Sequence, residues 1–144
     1  MIENLIKSIG IALHNEFGDD FKIYPEKVEQ GLKTPCFFIT CLNPSKELFL
    51  GRRYFCNNQF CIQYIPANNH KEKQECNNVL ERLFFCLEWI TAMEDSKPIQ
   101  GNKMRGETVN GVLNFFVNYD CFVNKQADET VMMGELTYTL NERK

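Results

Sequence analysis

The sequence has little of what most enzymes and nucleic-acid-binding proteins need. Its 144 residues include only 2 His, and 16 Lys and Arg stand against 19 Asp and Glu, which gives a formal net charge of −3. A chain without a basic excess has no overall field to attract a polyanion, so no specific nucleic acid is expected as a partner. No apolar run approaches the roughly 18 residues that cross a bilayer, so no membrane is expected either. Residues 1–7 include an acid and no continuous apolar stretch, unlike a secretory signal.

Signatures of catalysis are also absent from the sequence. His14 is expected on a first helix and His70 at the start of a second one, and neither stands near a nucleophile motif. Gly101, Gly106 and Gly111 are spaced wrongly for a phosphate-binding loop. We therefore expect no catalytic residues, no cofactor and no enzyme activity.

Cysteine is the one reactive residue type in good supply, with 7 residues. An odd number without a secretory signal argues against a disulfide framework and for a reducing cytoplasm. Cys36 and Cys41 have four residues between them, as do Cys56 and Cys61, at the edge of the spacing that structural zinc sites use. Cys36 and Cys41 are five apart on a predicted strand and so point to opposite faces, whereas a predicted turn separates Cys56 from Cys61. The pattern favours small buried hydrophobic residues over metal ligands. A metal-dependent enzyme stays open as an alternative, which a stoichiometric metal would support.

The composition is that of one folded domain, with 44% hydrophobic and 12% aromatic residues, so a single domain over residues 1–144 is expected. Apolar residues at helical spacing predict a helix over 1–17, ended by Gly18. A second predicted helix runs from Asn69 to about residue 92. Its apolar surface extends beyond one stripe, so we expect it to pack both on its own sheet and on another subunit.

The remaining segments predict strands. Strands are expected over 21–24, 36–43, 48–55 and 59–65, with turns at 43–46 and 57–58. Gly51 is expected to mark a bulge or a close backbone approach. Asn110-Gly111 predicts a type I′ hairpin turn, and strict apolar alternation follows from Leu113 to Val123. A further hairpin loop over 125–130 leads to a last strand over 132–140. The fold class is therefore α+β, with antiparallel β-sheet meanders packed against two α-helices.

Two basic segments are candidate contact sites. One is Arg52-Arg53-Tyr54, and the other spans 97–105 and ends at Arg105, with no acid among its Lys and Arg residues. Arginine beside an aromatic residue is common in protein and nucleic-acid interfaces. Because the net charge is acidic, we favour a solvated role or salt bridges to a neighbouring subunit, whose carboxylates the guanidinium fork fits.

Several segments in order resemble one known family. These segments are 50–54, 60–66, Glu75-Cys76, 101–106 and 112–119. Together they resemble the phage tail terminator, or tail completion, family of Gram-positive phages and prophages, from the first helix to residue 136. Asn110 and Asn114 stand where relatives are expected to carry an acid and a His.

The resemblance implies a structural role in the virion tail, assembled in the cytoplasm of a bacterial host. Such proteins form a six-fold ring on the head-proximal end of the tail tube, where the ring stops tube growth and docks the neck. The expected partners are further copies of the chain, the tail tube protein and a neck or head-completion protein. The residues expected at the subunit or tube interface are Arg52, Arg53, Tyr54, Arg105, Asn110 and Gly111. A neck or head-completion connector is the nearest alternative, followed by a small nucleic-acid-binding protein.

Overall fold

The described parts of the chain, residues 2–25, 31–67, 72–91 and 98–124 of a computed structural model, form two helices and one six-stranded sheet. The elements are α1 (Ile2–Phe17), β1 (Lys22–Tyr24), β2 (Cys36–Phe49), β3 (Arg53–Ile65), α2 (Glu72–Cys86), β4 (Trp89–Thr91), β5 (Pro98–Val109) and β6 (Val112–Asn124). The strand order is β1-β2-β3-β6-β5-β4. The predicted α+β class is confirmed. Neither helix of these described parts is long and apolar enough to span a membrane.

The pairing of the strands is mostly antiparallel. β4 and β6 each pair antiparallel with β5, whereas the short β1 runs parallel to the first residues of β2. Gln63 of β3 reaches Asn114 of β6, and Phe55, nearer the start of β3, reaches Phe122, nearer the end of β6. These two contacts make β3 and β6 antiparallel neighbours. The parallel pairing of β1 was not predicted.

The described residues group into two compact units. The larger unit contains those within 1–43 and 58–119, and the smaller unit contains those within 44–57 and 120–124. The single domain over 1–144 stays a prediction.

The large unit has its core between the two helices and the sheet. Leu5, Ile9 and Leu13 recur at helical spacing on α1 and are fully buried. Gly18 has a φ of +83° and ends the helix, with its N–H donating to the His14 carbonyl at 2.9 Å. A glycine suits this left-handed position because it has no Cβ to clash. The predicted first helix and its terminator are confirmed.

The second helix is shorter than predicted. α2 ends at Cys86, and Trp89–Thr91 forms β4, so the prediction of a helix to about residue 92 is wrong. The Leu87 carbonyl accepts a hydrogen bond from the Tyr119 hydroxyl at 2.5 Å. The next carbonyl, of Glu88, accepts one from the Gly101 N–H at 2.7 Å. These two carbonyl groups accept hydrogen bonds from residues of the sheet, so they do not accept from the backbone N–H groups of a further helical turn. The predicted start of this helix at Asn69 lies outside the described residues.

The β2–β3 region differs from the predicted three-strand meander. β2 continues through 43–46 and β3 through 57–58, so neither segment is a turn between strands. Asn43 keeps a φ of +41° as an irregularity inside β2. The Asn58 side chain is buried and its Nδ2 donates to the Tyr119 carbonyl at 3.3 Å, which gives this amide a partner within the sheet. The reversal lies at 50–52, so Gly51, with a φ of +75°, is a turn residue and the predicted bulge is wrong.

The β5–β6 hairpin matches its prediction. Asn110 and Gly111 have φ values of +53° and +79°, and Val109 pairs with Val112 across the two-residue turn. Positive φ at both central residues defines the type I′ turn. The alternation along β6 is also confirmed in the large unit, where the predicted inward residues are buried. They are Leu113, Phe115, Val117 and Tyr119. The loop predicted over 125–130 and the strand over 132–140 lie outside the described residues.

Candidate functional site

The predicted interface residues fall into two groups. Arg52 lies in the β2–β3 turn, and Arg53 and Tyr54 begin β3, all within the small unit. Arg105, Asn110 and Gly111 belong to the β5–β6 hairpin of the large unit. Each group therefore occupies a hairpin.

Three phenylalanine rings pack together in the small unit. The Phe122 ring lies 5.3 Å from the Phe49 ring and 5.3 Å from the Phe55 ring, between centroids. The Arg53 guanidinium lies over Phe122, with Cζ 4.6 Å from the ring centroid. We call Phe49, Phe55, Phe122 and Arg53 the tip cluster. Stacking of this kind holds an arginine in place while its donors stay available to a partner's carboxylate.

The small unit also exposes aliphatic surface. Leu48 is 56% exposed and Leu50 is 78% exposed, and Phe49 and Phe122 of the tip cluster are 43% and 46% exposed. Tyr54 is half-buried, with the Lys46 ammonium 4.4 Å from its ring centroid. Apolar and aromatic surface interspersed with arginine is typical of the centre of protein interfaces.

Leu50 has an unusual backbone conformation for its type. Its φ is +45°, in the left-handed region that bulky residues avoid. The Arg52 N–H donates to the Leu50 carbonyl at 2.8 Å and tightens the turn. Because the side chain is exposed, packing within the small unit does not explain a leucine here.

Arg105 is held on the large unit much as Arg53 is held on the small one. Its guanidinium Cζ lies 4.1 Å from the Phe116 ring centroid, and Nη1 lies 3.4 Å from Oε1 of Glu107. Arg105 is exposed. Burial raises the pKa of the nearby Cys61 thiol, with Arg105 opposing the shift and Glu107 adding to it. This thiol therefore stays protonated and is a poor nucleophile.

The turn of the β5–β6 hairpin lies against α2. Cys76 of α2 lies with its Sγ 3.8 Å from the Gly111 carbonyl oxygen. A pocket beside the turn is lined by Lys73 and Asn77 of α2 together with Thr108, Asn110 and Gly111. The turn and these two residues of α2 thus share one surface of the large unit.

The conspicuous Glu75-Cys76 pair joins separate parts of the large unit. The Tyr64 hydroxyl of β3 donates a hydrogen bond to the Glu75 carboxylate, while Cys76 reaches the β5–β6 turn. Burial, followed by the hydrogen bond to Glu75, raises the pKa of Tyr64 far above its usual value. These residues fasten α2 to the sheet.

One family matches most of the chain. A family model described as phage tail terminator protein matches residues 4–131. The chain belongs to the phage tail terminator family. A search of curated proteins finds no match. The match covers both groups of candidate interface residues, and it confirms the family that the sequence segments resemble. The Gram-positive origin stays a prediction.

The phage tail terminator family is a family of structural phage tail proteins and not of enzymes. In the described residues, no three His, Cys, Asp or Glu side chains are grouped closely enough to hold a metal ion. All seven cysteines are thiols. Four of them are buried, and they are Cys36, Cys56, Cys61 and Cys76. Burial is the largest cause that raises the pKa of the half-buried Cys86 to about 12. This agrees with the prediction that cysteines serve as small hydrophobic residues.

Some exposed residues of the chain were not among those predicted to contact a partner. Phe122 lies among the polar positions of β6, which is a usable sequence signal for an apolar residue that faces a partner. Leu50 carries no such signal, because a leucine next to Gly51 also fits a strand. Phe85 of α2 is 78% exposed, and the packing of this helix on another subunit stays a prediction. Trp89 is 54% exposed but belongs to β4.

Proposed function

We propose that the chain forms a six-fold ring that caps the head-proximal end of the tail tube. The ring stops the addition of further tube protein and provides the surface on which the neck docks. The family match over residues 4–131 carries this proposal. The partners are other copies of the chain, the tail tube protein and a neck or head-completion protein.

Exposed apolar surface supports an assembly role. Leu50, Phe85 and Trp89 are each more than half exposed and so are available to a partner. Such residues become buried when a head-to-tail contact repeats around a closed ring. The sheets of neighbouring copies form the ring wall in this proposal.

The arginines supply the polar part of the contact. Arg53 stacks on Phe122 and Arg105 on Phe116, so both guanidinium groups are partly ordered before a partner arrives. With Arg52, they pair with acids of a neighbouring subunit or of the tube protein. The Asn110-Gly111 turn projects toward the tube or the neck, and Tyr54 contributes to the contact around Arg53.

Electron microscopy of the purified protein mixed with tail tubes tests the proposal. A ring seated on one end of each tube supports it, and free or randomly bound protein contradicts it. A ring found on heads and never on tubes would instead favour a neck or head-completion connector. Salt-dependent retention on DNA without tube binding would favour a small nucleic-acid-binding protein.

Charge reversal tests the arginines. Arg52→Glu with Arg53→Glu should abolish ring formation or capping, because both charges then repel the acids they meet. Lys7→Glu with Lys33→Glu is a matched control, since it reverses two exposed charges of the large unit. Circular dichroism should show both variants folded. Normal-length tails joined to heads with the arginine variant would refute the assignment of these residues.

A further inference from the structure

Two cysteines face each other across neighbouring strands of the small unit. Cys56 lies on β3 and Cys121 on β6, which are adjacent in the sheet. Phe55 contacts Phe122 across the same two antiparallel strands, with ring centroids 5.3 Å apart. One residue further along in the antiparallel register, Cys56 stands opposite Cys121. Residues directly opposite have Cβ atoms about 4.5–5.5 Å apart.

The two thiols lie close enough for Cys56 to influence the pKa of Cys121. Burial, followed by the neighbouring Cys56, raises the pKa of Cys121 to about 11. Cys56 is only 6% exposed, whereas Cys121 is half-buried and thus reachable from solvent. Other buried thiols point to different groups, since Cys61 lies near the Asn114 amide and Cys76 near the Gly111 carbonyl.

We propose that Cys56 and Cys121 are a site of thiol–disulfide exchange that closes a cross-strand disulfide between β3 and β6. The co-reactant is a low-molecular-weight disulfide such as oxidised glutathione. A disulfide needs Cβ atoms about 3.5–4.5 Å apart, so a small approach of the two strands suffices. The proposal stands apart from ring formation and does not depend on it.

The chemistry proceeds in two exchanges. The Cys121 thiolate, as the more accessible one, attacks a sulfur of oxidised glutathione, forms a mixed disulfide and releases one glutathione thiolate. The Cys56 thiolate then attacks the Cys121 sulfur, forms the Cys56–Cys121 bond and releases the second glutathione thiolate. Two protein thiols are oxidised to one disulfide, one molecule of oxidised glutathione is reduced to two glutathione thiols, and the two protein protons end on the released thiolates. The raised pKa of Cys121 makes the first step slow at neutral pH.

Peptide mapping of the folded full-length chain tests the site. The protein is incubated with excess oxidised glutathione, blocked with iodoacetamide and digested with trypsin without reduction. We expect peptide 54–71 linked to peptide 106–125, which has Cys121 as its only cysteine. The count of reactive thiols in denaturant should fall by two from the seven of the reduced chain. Fragmentation of the linked peptides should place the bond on Cys56.

Single substitutions give the control, because peptide 54–71 also contains Cys61. Cys61→Ser should keep the link. Cys56→Ser should lose it and carry glutathione on Cys121 instead. Failure of peptides 54–71 and 106–125 to link in the folded wild-type chain, once glutathione has reacted with Cys121, would overturn the proposal. Fragmentation that places the bond on Cys61 would overturn it equally.

Discussion

The Tyr64 hydroxyl on β3 donates a hydrogen bond to the Glu75 carboxylate on α2. Tyr64 is fully buried, and its ring also packs on Phe37, with centroids 5.1 Å apart. The carboxylate is a charged acceptor, and hydrogen bonds to charged groups contribute more than neutral ones. This bond is therefore a main fastening between the second helix and the sheet.

Tyr64→Phe removes this hydrogen bond but keeps the ring packing. We expect the free energy of unfolding to fall by about 1.5–3 kcal/mol, measured by urea denaturation. Tyr24→Phe is the control, because the hydrogen bond that the Tyr24 hydroxyl accepts from the Lys33 N–H is exposed and long, at 3.3 Å. It should change stability by less than about 0.5 kcal/mol. Equal losses in the two variants would contradict the importance given to Glu75.

An added methyl group should change the free energy of unfolding by different amounts at Gly101 and at Gly106. A Cβ on Gly101 would lie 2.8 Å from Cγ2 of Val117 and 2.9 Å from the Leu87 carbonyl oxygen. That oxygen belongs to the backbone and cannot swing away. Gly101→Ala should therefore lower the free energy of unfolding by about 1–3 kcal/mol.

Gly106→Ala is the matched comparison. Its Cβ would lie 2.5 Å from Cδ1 of Leu80, the far end of a half-buried side chain that can change rotamer. We expect a loss below about 1 kcal/mol, again from urea denaturation. A larger loss at Gly106 than at Gly101 would show that Leu80 is held more rigidly than its partial burial implies.

Substitutions of Arg82 and of Arg105 should have different effects, the first on the stability of the fold and the second on the capping of tail tubes. Arg82 of α2 donates from Nε to Oε2 of Glu16 at 2.9 Å and from Nη2 to the Glu16 carbonyl at 2.7 Å. Its guanidinium also covers the Phe17 ring, 4.2 Å from the centroid. Arg82→Ala should reduce the free energy of unfolding by about 1–2 kcal/mol, because it loosens α2 from α1.

Arg105→Ala should leave thermal unfolding nearly unchanged, since its pair with Glu107 is exposed and such pairs contribute little. Capping of tail tubes, counted in electron micrographs, should fall in this variant and not in Arg82→Ala at a temperature where both stay folded. Full capping by Arg105→Ala would remove Arg105 from the proposed interface.

The positive φ of Leu50 is expected to lower the free energy of unfolding of the isolated subunit. A bulky residue at positive φ costs of order 1 kcal/mol, and asparagine tolerates this conformation better. Leu50→Asn should therefore raise the free energy of unfolding by about 0.5–1 kcal/mol while lowering tube capping. Leu48→Asn removes a comparably exposed leucine from β2 without that strain and should not stabilise. A Leu50→Asn variant that loses stability would contradict the strain argument.

Local chemistry predicted much of the fold. The Asn110-Gly111 turn, the alternation from Leu113 and the Gly18 terminator follow from backbone preferences and a regular period, which depend on few distant contacts. Asn58 shows where this approach fails. Asn57-Asn58 has the composition of a turn, but the Tyr119 carbonyl, 61 residues away in sequence, supplies a partner for the Asn58 amide and keeps it in a strand.

The candidate site was harder to predict than the fold. Arg53 is predicted as an interface residue because it stands beside Tyr54, and Arg105 because it ends a basic segment without acids. Their stacking partners, Phe122 and Phe116, lie on another strand. Leu50 was missed because its significance lies in a positive φ and an exposed side chain, and neither is visible in the order of residues.

Pro44 lies within the long strand β2 and disfavours pairing of the open side of this strand with another chain. β1 pairs only with Cys36–Phe38, so among the described strands nothing covers the outer side of β2 beyond Phe38. Proline has no N–H to offer a further strand, and Lys46 adds a charge two residues later. Pro44 and Lys46 thus make this side of β2 a poor template for a further strand.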